Sequence, residues 1–367
     1  MKVAMVFPTR ESEKAISGYA TTLVENIKKT KVDIENFTYV SGHPKTLFNR
    51  LKALKKYEVI HIQHEYNLLG NYGLPFFLLY FLLFFSEAKI ITTMHTILSQ
   101  KERFPGSSRL KTSLRKILYL IQNRWINWFS DIIVVHTSFL KETLSKEYHV
   151  KKNKIVVFPQ GIIENAPQYN KKKIKKELKL FGNVYLFMGS MVPDHGHDII
   201  IRQADKIGKT ILVVANSGSV NDRNSDRTRT YLEENRKIVQ QKGFEKFVRF
   251  DISESITDKN PLWWKYFSAA DLILLSYRVG HGSGIFAHAM AAKRPVIGSN
   301  VPFFNEISKN YGCVFIAKND QDYPKVIKEA MKPKNHNKMT KECERYLKEY
   351  GLSSLALKYK KLYYSLK

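Results

Sequence analysis

The sequence predicts an α/β protein built from two parallel-sheet domains in tandem. Three observations carry that reading. Short apolar runs of strand length alternate with helical patterns along the first 160 residues, and a second series of the same kind begins at Val184. Between the two, Gly161 to Lys179 breaks the alternation with Pro167 and a lysine run, Lys171-Lys172-Lys173-Ile174-Lys175-Lys176. Regular strand–helix alternation implies parallel strands covered on both faces by helices. At 367 residues the chain can hold two separate cores.

In the first half, strands are expected at Lys2–Pro8, Asn36–Val40, Glu58–Gln63, Lys89–Met94, Asp131–His136 and Ile155–Phe158. Each is a short run bounded by turn signals, and helical patterns fill the gaps: Ala20–Lys29, Pro44–Lys56, Leu74–Phe85, Leu110–Phe129 and Ser138–Glu147. Leu74–Phe85 is wholly apolar, but a helix of that length rises only ~18 Å and cannot cross a bilayer. A buried core helix is the expectation for it. Gly161 to Lys179 reads as a linker passing into a helix. The second half repeats the pattern with strands at Val184–Gly189, Thr210–Ala215, Val248–Phe250, Leu272–Ser276, Pro295–Gly298 and Val314–Ala317. Ser353 to Leu366 closes the chain as an amphipathic helix. Ligands of such folds bind beyond the carboxyl ends of the strands.

Composition narrows the class. Hydrophobic residues make up 44% and charged residues 25%, the balance of an ordinary globular protein. Two cysteines, Cys313 and Cys343, supply no disulfide framework or metal cluster, and a reducing compartment suits them. The N-terminal residues read as a first strand, without the long apolar stretch of a signal peptide. A cytoplasmic location is therefore expected. The formal net charge of +27 favours polyanions, and it equally fits a lysine-rich solubility bias. Zinc spacings, paired RNA-binding aromatics and a helix-turn-helix signal are missing, so nucleic acid is not an expected partner. Lys101 to Trp128 interleaves basic residues (Arg109, Lys111, Arg115, Lys116) with leucines, isoleucines and tryptophans. That mixture suits an anionic membrane surface, and it also suits a helix with a core face and solvated lysines.

The most informative segment is Phe267 to Ile297. Asp271 to Tyr277 is an apolar strand-length run, Gly280-His281-Gly282-Ser283-Gly284 is a loop, and Ile285 to Ala292 has the small apolar residues of a buried helix. Glycines let a ligand approach the backbone closely, and a helix N-terminus offers free N–H groups and a partial positive charge. The ligand implied is a phosphate or pyrophosphate. A packing turn is the alternative.

This segment resembles the donor-binding segment of family 4 glycosyltransferases, retaining enzymes of GT-B fold. That family carries a strand, a Gly/Ser-rich loop and a helix reading Glu-Ala-Met-Ala-Ala-Gly-x-Pro-Val; here the helix reads His288-Ala289-Met290-Ala291-Ala292-Lys293-Arg294-Pro295-Val296. Further blocks follow in the family's order. Ser17-Gly18-Tyr19 is similar to its Gly-Gly loop, and Val135 to Ile162 looks like its end of domain one. Met188 to Asp198 is similar to its Gly-Arg-x-x-x-x-Lys-Gly motif. The resemblance implies two Rossmann-like domains facing across a cleft: residues 1–165 on the acceptor side and 166–345 on the nucleotide-sugar side. A terminal segment, 346–367, is expected to pack back on the first domain.

The resemblance also implies a set of site residues. The family's Arg and Lys positions hold Ser190 and His195, its first glutamate aligns with Gly280, and its second is His288. Arg278, just before the loop, is the candidate replacement cation, with a surface or salt-bridged arginine as the alternative. Thr92-Thr93-Met94-His95-Thr96 matches a segment whose His lies near the transferred sugar, so His95, His195 and Arg278 are the expected catalytic contacts. Gly18, Ser190, His281, Gly282, Ser283, Gly284 and His288 are the expected donor-binding residues. His64, Glu65 and Tyr66, at the end of the preceding strand, are placed on the acceptor side. Asp320-Gln321-Asp322 and Gly208-Lys209-Thr210 only imitate a metal motif and a P-loop, and no metal site is expected.

The function implied is a glycosyltransferase, a hexosyltransferase for preference. It moves a sugar from a nucleotide-diphosphate sugar to a lipid-linked or polysaccharide acceptor with no metal and no cofactor. An anionic membrane surface, the inner face of the cell membrane, is an expected partner. The other readings are a catalytically silent glycosyltransferase-like partner or sugar-binding subunit, motivated by the replaced Arg, Lys and Glu positions, and a nucleotide-sugar epimerase.

Overall fold

A computed structural model describes residues 1–101, 108–216, 225–253, 256–280 and 282–366. The chain forms two compact units, Met1–Gly161 with Leu352–Lys367, and Ile162–Gly351.

The first unit is a six-stranded, all-parallel sheet in the order β2-β1-β3-β4-β5-β6. The strands are β1 (Lys2–Pro8), β2 (Asp33–Tyr39), β3 (Val59–His64), β4 (Lys89–Met94), β5 (Ile132–Val135) and β6 (Ile155–Val157). Its longer helices are α1 (Ala15–Lys29), α2 (Leu74–Phe84), α3 (Arg109–Phe129) and α4 (Ser138–Tyr148). Period-2 alternation divides the strands between two faces. Ile60 and Ile62 of β3 join Ala4, Val6, Ile90 and Ile133 in one apolar core. The opposite face carries His61, Gln63 and Thr93, all fully buried, so polar groups there must satisfy one another.

The second unit is again six-stranded and parallel, in the order β12-β11-β10-β7-β8-β9. Its strands are β7 (Val184–Ser190), β8 (Thr210–Asn216), β9 (Val248–Ser253), β10 (Leu272–Leu275), β11 (Val296–Ser299) and β12 (Val314–Ala317). Alternate residues feed two cores: Leu186, Met188, Ile273 and Leu275 face one, Tyr185, Phe187, Leu272 and Leu274 the other. The longer helices are α5 (Lys171–Glu177), α6 (Ser225–Lys242), α7 (Pro261–Ala269), α8 (Gly284–Ala291), α9 (Pro302–Asn310), α10 (Tyr323–Ala330) and α11 (Pro333–Tyr350). The last helix, α12 (Leu352–Tyr364), belongs to the first unit and packs along α1.

Three local expectations change. Helix α1 begins at Ala15, five residues before Ala20, because the Glu13 carboxylate accepts from the amides of Ala15, Ile16 and Ser17 at 2.8, 2.8 and 3.0 Å. Gly18 therefore lies in the first turns of a helix and not in a loop. The helix expected over Pro44–Lys56 is a short turn, Lys45–Phe48, followed by a 3-10 segment, Leu51–Lys56. Helix α2 is not a buried core helix. Phe76, Leu79, Tyr80 and Leu83 are buried, whereas Leu74, Leu78, Phe81, Leu82 and Phe84 are exposed. Among the described residues no helix is long and apolar enough to cross a membrane.

Candidate active site

In the second unit the Gly-rich loop sits where the sequence implied, beyond the carboxyl end of β10. Ser283 is the N-cap of α8, and its Oγ accepts the Phe286 amide at 3.1 Å. Tyr277, buried after β10, places its hydroxyl 2.9 Å from Ser283 Oγ and so holds the cap. The amides of Gly284 and Ile285 belong to the first turn of α8, where helix geometry supplies no partner, and the dipole adds partial positive charge. A Cβ at Gly282 or Gly284 would meet nothing within 4 Å, so packing does not require glycine there. Open space over free amides is what an anion needs. His281 lies outside the described residues.

His195 packs on Tyr277, the residue that holds the cap. Its ring stacks on Tyr277 with centroids 4.7 Å apart and planes 23° apart. Its Nδ1 lies 2.7 Å from the carbonyl oxygen of Ser190, which can only accept, so Nδ1 carries the proton and Nε2 the lone pair. Burial lowers the His195 pKa, against the opposing pull of the Ser190 carbonyl and the Asp194 charge. Gly196 makes this approach possible. Its φ is +70°, and a Cβ there would fall 2.1 Å from the Ser276 carbonyl oxygen. Ser190 itself is exposed at the end of β7.

Arg278 is occupied. Its Nη1 and Nη2 donate to the two carboxylate oxygens of Asp198 at 3.0 and 2.8 Å, and Nη1 also donates to the Pro193 carbonyl at 2.6 Å. The Asp198 bonds raise the guanidinium pKa still further. Burial alone would raise the Asp198 pKa, but the hydrogen bonds from Arg278 and Tyr231 outweigh it and hold the carboxyl low. Asp198 and Tyr231 are residues that sequence reasoning missed. Tyr231 lies on α6, remote from every motif, and only the fold brings it there.

His288 does not reach the loop's open side. Its ring lies edge-on to Trp263, Trp264 and Phe267, with centroids 5.2, 5.4 and 6.1 Å away, and its buried Nδ1 has no hydrogen-bond partner. Burial draws its pKa down to about 4, with the Asp258 charge opposing.

In the first unit Gln63, His95 and His136 gather at the carboxyl ends of β3, β4 and β5. His95 Nε2 is 2.8 Å from Gln63 Oε1, and His95 Nδ1 is 3.2 Å from His136 Nε2. His136 Nδ1 is 2.9 Å from the Phe158 carbonyl oxygen. Tyr19 of α1 stands edge-on to both rings, at 5.7 and 5.9 Å. Because Phe158 O only accepts, a neutral His136 offers a lone pair at Nε2, and His95 must donate to it from Nδ1. His95 Nε2 is then an acceptor, and the Gln63 amide must turn its NH2 toward it, an assignment that reverses the placed oxygen and nitrogen. Burial lowers the pKa of both histidines, which favours this neutral chain.

The three acceptor-side residues separate. His64 is fully buried as the last residue of β3, on the face opposite His61 and Gln63, with Phe76 and Tyr66 rings 4.5 and 5.5 Å away. Neither ring nitrogen has a partner, and burial lowers its pKa to about 3. Tyr66 is also buried, its hydroxyl donating to Asn123 Oδ1 at 3.1 Å. Both serve the interior. Only Glu65 stays partly exposed, accepting the Tyr66 amide at 3.0 Å. Among the described residues no group of His, Cys, Asp and Glu is disposed to hold a metal ion. The Asp320–Asp322 turn caps itself, Asp322 accepting from the Asn319 amide at 3.2 Å.

Residues 3–165 match the model of Glycosyltransferase Family 4, and residues 169–349 match that of Glycosyl transferases group 1. No curated protein matches the chain in sequence. Among solved structures the chain is similar to HepE of Anabaena in complex with UDP, with TM-score 0.73, 13% identity and 100% of each chain covered. It is also similar to sucrose-phosphate synthase of Thermosynechococcus elongatus, with TM-score 0.73, 16% identity and 100% and 99% coverage. A third likeness is WaaG, a glycosyltransferase involved in lipopolysaccharide biosynthesis, with TM-score 0.65, 13% identity and 97% and 98% coverage.

Proposed function

The chain belongs to the glycosyltransferases of these two family models, and on that premise we propose that it transfers a sugar from a nucleotide-diphosphate sugar to a lipid-linked or polysaccharide acceptor. Retention of configuration and independence from metal are part of the proposal. The observation that carries it is the capped, open N-terminus of α8, with His195 stacked on the tyrosine that holds the cap. The HepE structure with UDP and the role of WaaG in lipopolysaccharide biosynthesis support the donor and acceptor classes.

Sugar transfer leaves a diphosphate whose developing charge must be stabilised. The first-turn amides of α8, Gly284 and Ile285, meet that need without a metal. His195 can add a full charge only by gaining a proton at Nε2, since Nδ1 is given to Ser190. His95 packs against Tyr19, its ring held by Gln63 and His136. An anionic membrane, at the inner face of the cell membrane, is the surface on which a lipid-linked acceptor would be met.

A second reading, a catalytically silent glycosyltransferase-like subunit, is favoured by one observation: Arg278, the cation beside the loop, is committed to Asp198. A binding screen of UDP-, GDP-, ADP- and CMP-sugars followed by mass detection of hydrolysis separates the two. Binding with turnover supports the transferase. Absence of binding to any nucleotide sugar refutes it and supports the silent subunit.

A further inference from the structure

We infer that the outer face of α2 and α3 is a bilayer-docking surface that beds side chains into the interface of an anionic membrane. This deepens the membrane part of the proposed function and rests on it for its biological sense, but an independent observation carries it, the pattern of exposure. On α3, Leu110, Leu114, Ile117, Ile121 and Trp128 are 49–70% exposed. They recur at intervals of four, three, four and seven residues, so they form one stripe along the helix. On α2 and just beyond it, Leu74, Leu78, Phe81, Phe84 and Phe85 are 45–71% exposed.

The two stripes are joined into one face. At one end Phe85 meets Phe84, Phe84 meets Phe129, Phe129 meets Trp125 and Trp125 meets Trp128, with ring centroids 5.7, 5.3, 4.8 and 6.2 Å apart. At the other end the Arg115 guanidinium of α3 lies 5.5 Å from the ring of Tyr72, two residues before the start of α2. Trp125 pins the helices together by donating from Nε1 to the Phe77 carbonyl at 3.1 Å. So large an exposed apolar patch marks an interaction surface.

Charge decides the occupant. Helices α2 and α3 contain no Asp or Glu, while α3 carries Arg109, Lys111, Arg115, Lys116 and Arg124. A second copy of the chain, docked two-fold on this face, would set those cations against their own copies with no carboxylate on either helix. A nucleic acid would answer the cations and leave the leucines and aromatics wet. A lipid surface answers both: headgroup phosphates take the cations, and the acyl boundary takes the apolar stripe. A helix the length of α3 rises ~31 Å. With its stripe along one side it lies in the plane of the interface.

The test is flotation of the full chain with phosphatidylcholine vesicles, with and without phosphatidylglycerol, at low and high salt. Two variants are compared, Leu114→Ser/Ile117→Ser/Ile121→Ser/Trp128→Ser and Lys111→Ser/Arg124→Ser. Both change exposed positions, and unaltered thermal melting confirms that they fold. Wild type is expected to float with the anionic vesicles and to keep part of its binding at high salt. The apolar variant should lose about tenfold or more at both salts, and the charge variant only the salt-sensitive part. Brominated lipid should quench the fluorescence of wild type, and a Trp128→Phe variant should lose most of that quenching. Flotation unchanged in the apolar variant, or no quenching, overturns the inference. So does a wild-type dimer in solution that the apolar variant turns into monomer, which would assign the face to a second copy. UDP-sugar hydrolysis without vesicles reports the transferase reading separately, so either can fail alone.

Discussion

Arg278 and Asp198 face each other across two parallel hydrogen bonds, Nη1 to Oδ1 at 3.0 Å and Nη2 to Oδ2 at 2.8 Å. A fork-to-fork pair of this kind fixes both side chains. It ties the end of β10 to the turn after β7, because the Arg278 amide and Nη1 also bond the carbonyls of Asp194 and Pro193. Arg278→Ala should therefore act mainly on stability. The arginine is 41% exposed, so solvent screening limits the loss to about 1–2 kcal/mol in urea unfolding. UDP affinity should change by no more than about twofold if the guanidinium stays with Asp198. Asp198→Ala, which releases it beside the loop, should tighten UDP binding. Loss of UDP binding in Arg278→Ala would mean that the arginine leaves Asp198 for the ligand.

Gly284 tests the proposed anion site directly. Nothing lies within 4 Å of a Cβ added there, so Gly284→Asp should fold normally. The new carboxylate would stand at the first turn of α8 and repel a diphosphate. Calorimetry should show nucleotide binding abolished, with Gly284→Ala retaining most of it. Wild-type affinity in Gly284→Asp would remove the loop from the donor site.

His195 should make nucleotide binding consume protons. Burial holds its pKa below the ordinary value and so favours the neutral ring. A phosphate facing Nε2 favours the charged one. UDP affinity should fall as pH rises from about 6 to about 8, across the range where histidine titrates. Titrations in buffers of different ionisation enthalpy should detect the proton taken up. His195→Lys, permanently charged, should lose that uptake and flatten the pH dependence. Equal uptake in wild type and His195→Ala would show that another group takes the proton.

Buried histidines should make the fold acid-sensitive. The folded values of His61 and His64 are both depressed to about 3 by burial, against about 6.5 unfolded. Between those values the unfolded chain binds more protons, so stability is present in full above about pH 6.5 and drains as pH falls toward about 3. Each pKa unit is worth about 1.4 kcal/mol, so the combined loss amounts to several kcal/mol. His64 has no hydrogen-bond partner, and His64→Leu should leave stability at pH 7 intact while reducing the loss at pH 4. Urea unfolding across this range provides the measurement. An unchanged pH slope in His64→Leu would mean that His64 is already protonated, or hydrated, in the folded protein.

Sequence by itself determined the two parallel-sheet units, because strand-length apolar runs such as Lys2–Pro8 and Val184–Gly189 can be buried on both faces only in that architecture. It also determined the Gly-rich loop and the helix that follows it. Glycines followed by a small-residue helix specify local geometry, and Ser283 caps α8 within three residues of chain. Tertiary structure decided everything that depends on which residues meet across the fold. Arg278 stands beside the loop in sequence, but its partner Asp198 is 80 residues away and Tyr231 lies on another helix. His64 precedes a loop, yet strand alternation turns it inward onto Phe76. Helix α2 is apolar enough to be core and is nonetheless half exposed. Composition states that a side chain would gain by leaving water. Only the packing of neighbouring elements determines whether the protein itself offers the place.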